Sequence, residues 1–226
     1  MNFRGLILSS TAVFALSGVM QASTVYNYAF GGSGNLGSNT HTFAPVGGSG
    51  PVIDATGYQG LGSSLSAANL YSKGVAGFPA PNDESGLGLT NDRSGDNEIT
   101  SCSFIMLDLA KLSGISKLGL YTESTTGGEQ WKIWGSQTAP SSGQSYSSPT
   151  TGFLTGTSEG IQDISSLDSD RYIFVTSTSG NILLGGFTAT ESSSAATPEP
   201  ASAGLLGLAL VAAGLVSRRR LSKKTA

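Results

Sequence analysis

The chain has 226 residues, a formal net charge of −3, one cysteine and one histidine. A lone cysteine excludes an intramolecular disulfide, and a lone histidine leaves few routes to a nucleophile, base and orienting group. Six of the twelve basic residues (Arg4, Arg218, Arg219, Arg220, Lys223 and Lys224) lie near the two ends, whereas all fifteen acidic residues lie between Ser23 and Pro200. That middle segment, with six basic and fifteen acidic residues, carries about −9, which argues against nucleic acid and anionic lipid as partners.

In chain order, residues 1–22 come first. Arg4 precedes an apolar stretch from Leu6 to Met20, and Ala22 supplies the small residue expected before a signal-peptidase cut. The stretch is short for a retained membrane helix and has no basic flank after it, so it reads as a secretory signal. Removing it and the C-terminal segment leaves a domain of about 175 residues, enough for a real core.

Within that domain long helical periodicity is missing. Short β-type runs are separated by Gly, Asn, Asp and Pro. Thr24–Phe30 alternates, residues 31–40 read as a turn-rich loop, and Val52 and Ile53 mark a short strand. Residues 70–73 are another candidate. Ser103–Leu109 is nearly continuously apolar, as expected of a central strand buried on both faces, and residues 108–112 add one short helical turn. Lys117–Thr122 follows. In Gln130–Trp134, Trp131 and Ile133 share the core side, and Lys132 and Trp134 mostly take the other. Arg171–Thr176 and Asn181–Thr190 complete the set. Strands about every ten residues without intervening helices predict an all-β, antiparallel, jelly-roll-like sandwich over residues 23–190.

Residues 191–197 are mostly Ser and Ala and read as a flexible linker. Pro198-Glu199-Pro200 is held extended by its prolines, which suits a protease active site. Residues 201–217 are uncharged and rich in Leu, Ala, Gly and Val, roughly 25 Å long as a helix, at the short end of what crosses a bilayer. Arg218, Arg219, Arg220, Lys223 and Lys224 then hold that end in the cytoplasm.

This order of triplet, transmembrane helix and basic stop resembles the PEP-CTERM sorting signal of Gram-negative bacteria. The resemblance covers residues 197–226. It implies that an exosortase, a membrane-embedded cysteine transpeptidase, recognises Pro198, Glu199 and Pro200, cuts near them and passes the domain to the cell surface. A permanent single-span anchor is the alternative.

Sequence chemistry in the domain is sparse. His41 sits in a Gly-rich region without a nucleophile-elbow motif and reads as solvated or structural; Cys102 reads as a small strand residue. Paired carboxylates for glycoside hydrolysis have candidates in the polar segment 81–98 (Asp83, Glu84, Asp92, Asp96 and Glu98) and in Asp108, but nothing sets their separation. The same segment carries Asp83, Glu84, Asp92 and Asp96 in Gly-containing loops, which makes them weak calcium candidates; a plain solvated turn is the other reading. The glycine-rich stretches 31–37 and 47–50 lack the Lys-Ser/Thr pair of a phosphate loop. Trp131, Trp134, Tyr121 and Tyr172 are candidate sugar-stacking rings, although most aromatics on alternating strands are core.

The runs Ile105–Leu109, Ile115–Tyr121 and Gln130–Ser136 loosely resemble discoidin-type, galactose-binding jelly rolls, which implies carbohydrate or surface binding through loops at one end. The expectation is therefore a non-enzymatic, cofactor-free surface or matrix protein associated with exopolysaccharide. It would meet signal peptidase and an exosortase while transiently held in the inner membrane. A polysaccharide-active enzyme and a purely structural or adhesive protein are the alternatives.

Overall fold

Alternation of apolar with small polar residues, broken every few positions by turn-forming glycines, leaves this chain little choice but strands. Gly60 (φ +93°) and Gly74 (φ +77°) end two of them in a backbone region that side-chain-bearing residues rarely adopt. The computed structural model describes residues 23–192, apart from Ser33, Asn82, Asp83, 91–94 and Thr126, together with Ala209.

Strands are numbered in chain order. The first sheet runs β12 (Gly160–Asp163), β9 (Ile115–Glu123), β14 (Leu183–Glu191), β7 (Gly86–Leu89), β6 (Leu70–Lys73) and β2 (Gly34–Asn35), with β1 (Val25–Ala29) also paired to β14. The second runs β11 (Phe153–Gly156), β10 (Gln130–Ser136), β13 (Tyr172–Ser179), β8 (Ser103–Asp108), β4 (Ile53–Gln59) and β3 (Thr40–Phe43), with β5 (Ser66–Ala67) on β4. The pairings are antiparallel, and a 3-10 turn spans Ser165–Leu167. This is the antiparallel sandwich that the strand spacing predicted.

The period of two decides the layers. Leu118, Leu120, Phe187 and Ala189 from the first sheet meet Ile53, Ile105, Leu107, Ile133, Ile173 and Val175 from the second. The intervening residues of the second sheet build another apolar layer outside it: Tyr58, Phe104, Met106, Trp134, Tyr172 and Phe174, joined by Leu65. Ser103–Asp108 is thus buried on both faces, as its unbroken apolar run predicted, and Trp131 and Ile133 turn to the shared core while Trp134 turns outward.

Chain around residues 61–65 and 143–146 covers this outer layer. Gly62 N–H donates to the Tyr146 carbonyl (2.8 Å) and Leu65 N–H to the Gln144 carbonyl (2.9 Å). The Tyr146 ring lies 5.6 Å from Phe104 and 6.0 Å from Phe174. Lys132 is 9% exposed; its ammonium donates to the Ser148 hydroxyl (3.0 Å) and the Pro149 carbonyl (2.5 Å) and lies 4.0 Å over the Phe153 ring. Burial lowers its pKa, because the charged form is the costlier one to remove from water.

Several local expectations change. The predicted loop 31–40 contains β2, and Thr40 opens β3, because cross-strand pairing with β6 and β4 rather than propensity sets those segments. Gly86–Leu89, read as part of a polar loop, is a fully buried strand: Leu87 and Leu89 fill the core, and a Cβ on Gly88 would lie 2.0 Å from the Asn97 carbonyl oxygen. The helical turn at 108–112 is instead a bend closed by Leu112 N–H on the Leu109 carbonyl (2.8 Å). Cys102 precedes β8 in a turn whose carbonyl receives the N–H groups of Gly60 and Leu61 (2.8 and 2.9 Å). Polar Thr and Gln hid β11 and β12, which are edge strands of the second and first sheet, respectively.

Candidate functional site

The four candidate stacking rings do not share one environment. Trp131 (5% exposed), Trp134 (1%) and Tyr172 (8%) are core side chains. Their burial corrects the idea that they could stack on a ligand. Trp134 instead stacks on Phe174, centroids 5.2 Å apart and rings 8° from parallel, and donates its indole N–H to the Tyr146 hydroxyl (3.3 Å).

Tyr121 differs. Leu118 and Leu120 of β9 point to the core, so Tyr121 points to the open face of the first sheet, where it stays half-buried. Phe78, also half-buried, meets it edge to face with centroids 6.2 Å apart. Ile161, directly opposite Tyr121 on β12, is 55% exposed.

Two glycines in β14 clear the ground for these rings. A Cβ on Gly186 would lie 2.7 Å from Phe78 Cδ2, and one on Gly185 would lie 2.7 Å from Tyr121 Cδ1. The pair Gly185-Gly186, set between Leu184 and Phe187 in a strand, was the available sequence signal, because strand glycine marks close approach of another group. Phe78 itself lies in an irregular segment, where no periodicity pointed to it. The resulting strip of Phe78, Tyr121 and Ile161, bordered by Thr188, can present apolar faces to a flat ligand.

A cleft of about 340 Å³ opens at one end of the sandwich. Its floor is aliphatic, from Leu109, Leu112, Ile115 and Leu118, and Gln137, Asp168, Asp170 and Arg171 are among its polar lining. Arg171 is held by Asp108 through two hydrogen bonds, Nε to Oδ1 (3.3 Å) and Nη2 to Oδ2 (3.1 Å), which raise its pKa. Gln137 Nε2 donates to the Ser169 carbonyl (2.6 Å) and to Asp170 Oδ1 (3.3 Å). Directly across β4 from Asp108, Asp54 accepts from Thr42 (2.5 Å) and pairs with Lys111 (3.1 Å); these contacts lower its pKa, the Thr42 hydrogen bond most of all.

The strongest electrostatic cluster lies in the polar segment. Lys73 on β6 pairs with Glu98 (2.7 Å) and with Glu84. Burial raises the pKa of Glu98, whose side chain is 7% exposed, against the pull of Lys73. Burial also acts to lower the Lys73 pKa, but its two carboxylate partners prevail and raise it. Of the calcium candidates, Glu84 is therefore engaged with an ammonium, and Asp96 Oδ2 accepts from Asn181 (3.4 Å). Asp83 and Asp92 lie outside the described residues. Among the described residues no group of three His, Cys, Asp or Glu side chains is placed to hold a metal. His41 is exposed on β3, its ring 4.9 Å from that of Phe43.

Comparison with known families locates the clearest functional signal elsewhere. The family described as the PEP-CTERM protein-sorting motif matches residues 196–220. The chain carries a PEP-CTERM sorting signal. No curated protein and no solved structure matches it, so the resemblance of the ectodomain to galactose-binding jelly rolls finds no support there. The PEP-CTERM match falls on Pro198, Glu199 and Pro200 and reaches Arg220, marking an exported surface protein sorted by exosortase in Gram-negative bacteria.

The sorting triplet, the basic stop Arg218–Arg220 with Lys223 and Lys224, and the cleavage residue Ala22 all lie outside the described residues. The expected transmembrane helix 201–217 does so too, except for Ala209, which is helical. Among the described residues no helix is long and apolar enough to cross a membrane.

Proposed function

We propose that this PEP-CTERM protein is a non-enzymatic component of the cell surface or extracellular matrix, whose sandwich associates with exopolysaccharide through the open face of its first sheet. The observation that carries the reading is the half-buried pair Phe78 and Tyr121, set beside exposed Ile161 on the β14 glycines. Sugar rings present flat C–H faces that pack on aromatic rings, and their hydroxyls suit the polar strand residues around such a strip. An acidic domain favours neutral polymer over polyanion.

The processing scheme follows the sorting signal. Signal peptidase removes residues 1–22, the C-terminal segment tethers the precursor in the inner membrane, and exosortase then cuts near Pro198–Pro200. Glu199→Ala in a host with the transpeptidase should leave the C-terminal segment attached, seen as an intact mass larger than that of the processed form. An unchanged mature mass and location would refute the processing scheme.

A glycan array probed with residues 23–197 tests the binding claim. Signal above background on extracellular polysaccharide supports it, and background signal throughout contradicts it. Release of new reducing ends from that polymer would overturn the non-enzymatic reading.

A further inference from the structure

The first and last strands of the domain are neighbours. Val25 pairs with Thr190 and Tyr28 with Phe187. Glu191 N–H donates to the Thr24 carbonyl (2.8 Å), so chain enters and leaves the sandwich at the same end. Ser192 N–H donates to the Gly114 carbonyl (2.7 Å), and Ile115 pairs with Glu191. Gly114 and Ile115 also line the cleft, which therefore opens beside the exit of the chain.

From these contacts we infer that the cleft-bearing end is the face of the precursor that the membrane-embedded transpeptidase contacts. Only five residues separate Ser192 from Pro198, six steps along the chain with a fully extended reach of roughly 20 Å. An enzyme acting on the triplet must work against this end of the folded domain. A tether this short gives an effective concentration in roughly the millimolar range, so even a weak contact is populated.

The chemistry of the cleft defines what it accepts from the enzyme. Its floor takes an apolar side chain. Arg171 is neutralised by Asp108, which leaves Asp168 and Asp170 to set a negative field that favours a flanking Lys or Arg. The matching enzyme surface is an extracytoplasmic loop with an apolar residue beside a basic one. This inference rests on the sorting reading and adds the docking face to it.

The test uses the full chain in a host containing the transpeptidase, with C-terminal processing followed by pulse-chase and intact mass. Asp168→Lys combined with Ala110→Lys places two cations on exposed positions of the cleft. Processing should slow about fivefold or more while the melting temperature of the released domain stays within about 2 °C. Thr157→Lys with Ser179→Lys, two exposed positions at the opposite end, should leave the rate unchanged. An unchanged rate in the Asp168/Ala110 variant, or equal slowing in both, would overturn the docking face. Glu199→Ala separates the two ideas: if it stops processing and the cleft variant does not slow it, sorting stands and the docking face falls.

Discussion

The two outer faces of the sandwich are built from similar residues and end in opposite states. The second sheet carries Phe104, Trp134, Tyr172 and Phe174 outward and roofs them with loop chain and Tyr146. The first sheet carries Tyr121 outward and leaves it half-buried, with Phe78 laid across Gly186. An aromatic on an outward strand position is thus not in itself a binding platform. What decides is whether neighbouring loops reach over it, and here the long connection between β10 and β11, with the chain around residues 61–65, does so over the second sheet.

The largest expected effect falls on the roofed face. Phe174→Ala should cost about 3–5 kcal/mol, because it removes a fully buried ring in contact with Trp134, Phe104, Tyr146 and Tyr172. Tyr121→Ala on the open face should cost no more than about 1–2 kcal/mol. Chemical denaturation of the two variants checks the contrast, and equal losses would erase the distinction between the faces.

Lys73→Met should cost roughly 3 kcal/mol at pH 8, since it leaves the buried Glu98 carboxylate without its cation. The pKa of Glu98 is raised in the fold, so the cost of keeping it charged is present above that pKa and fades as pH falls through it. The loss caused by Lys73→Met should therefore shrink toward pH 4. The raised pKa of Lys73 acts at the other end of the scale: its contribution is whole below the ordinary lysine pKa and is lost as pH climbs through the folded value. Stability of both proteins measured from pH 4 to above the ordinary lysine pKa tests the two signs together.

A more discriminating change is Gly186→Val, which forces a side chain against Phe78 and the Tyr28 carbonyl. It should destabilise by about 1–3 kcal/mol and displace the Phe78 ring from the open face. The smallest effect is expected at Lys132→Met. Two hydrogen bonds are lost, but the desolvation that lowers the lysine pKa is relieved, so the net change should stay within about 1 kcal/mol.

How much of this was legible in the sequence depends on the kind of signal. Alternation in Gln130–Trp134 and the unbroken apolar run before Asp108 reported the layers faithfully, because burial on one or two faces leaves a direct mark on residue choice. The sorting signal was legible because it is read as a linear segment. β3, β7, β11 and β12 were not, since Thr-, Gly- and Gln-containing segments become strands only when a partner supplies their hydrogen bonds. The open face was half visible: Tyr121 was a candidate, but its distinction from Trp134 depends on which loops fold back. Nor did the sequence show that Glu84, one of the calcium candidates, pairs with Lys73 on β6.

The most direct measurement is a calorimetric titration of residues 23–197 with exopolysaccharide extracted from a producing strain, beside the Phe78→Ala/Tyr121→Ala variant. The intact domain should bind, and the double variant should bind at least tenfold more weakly while remaining folded. Equal binding by a folded double variant, or no binding by the intact domain, would contradict the assignment of the open face as the polysaccharide-binding surface.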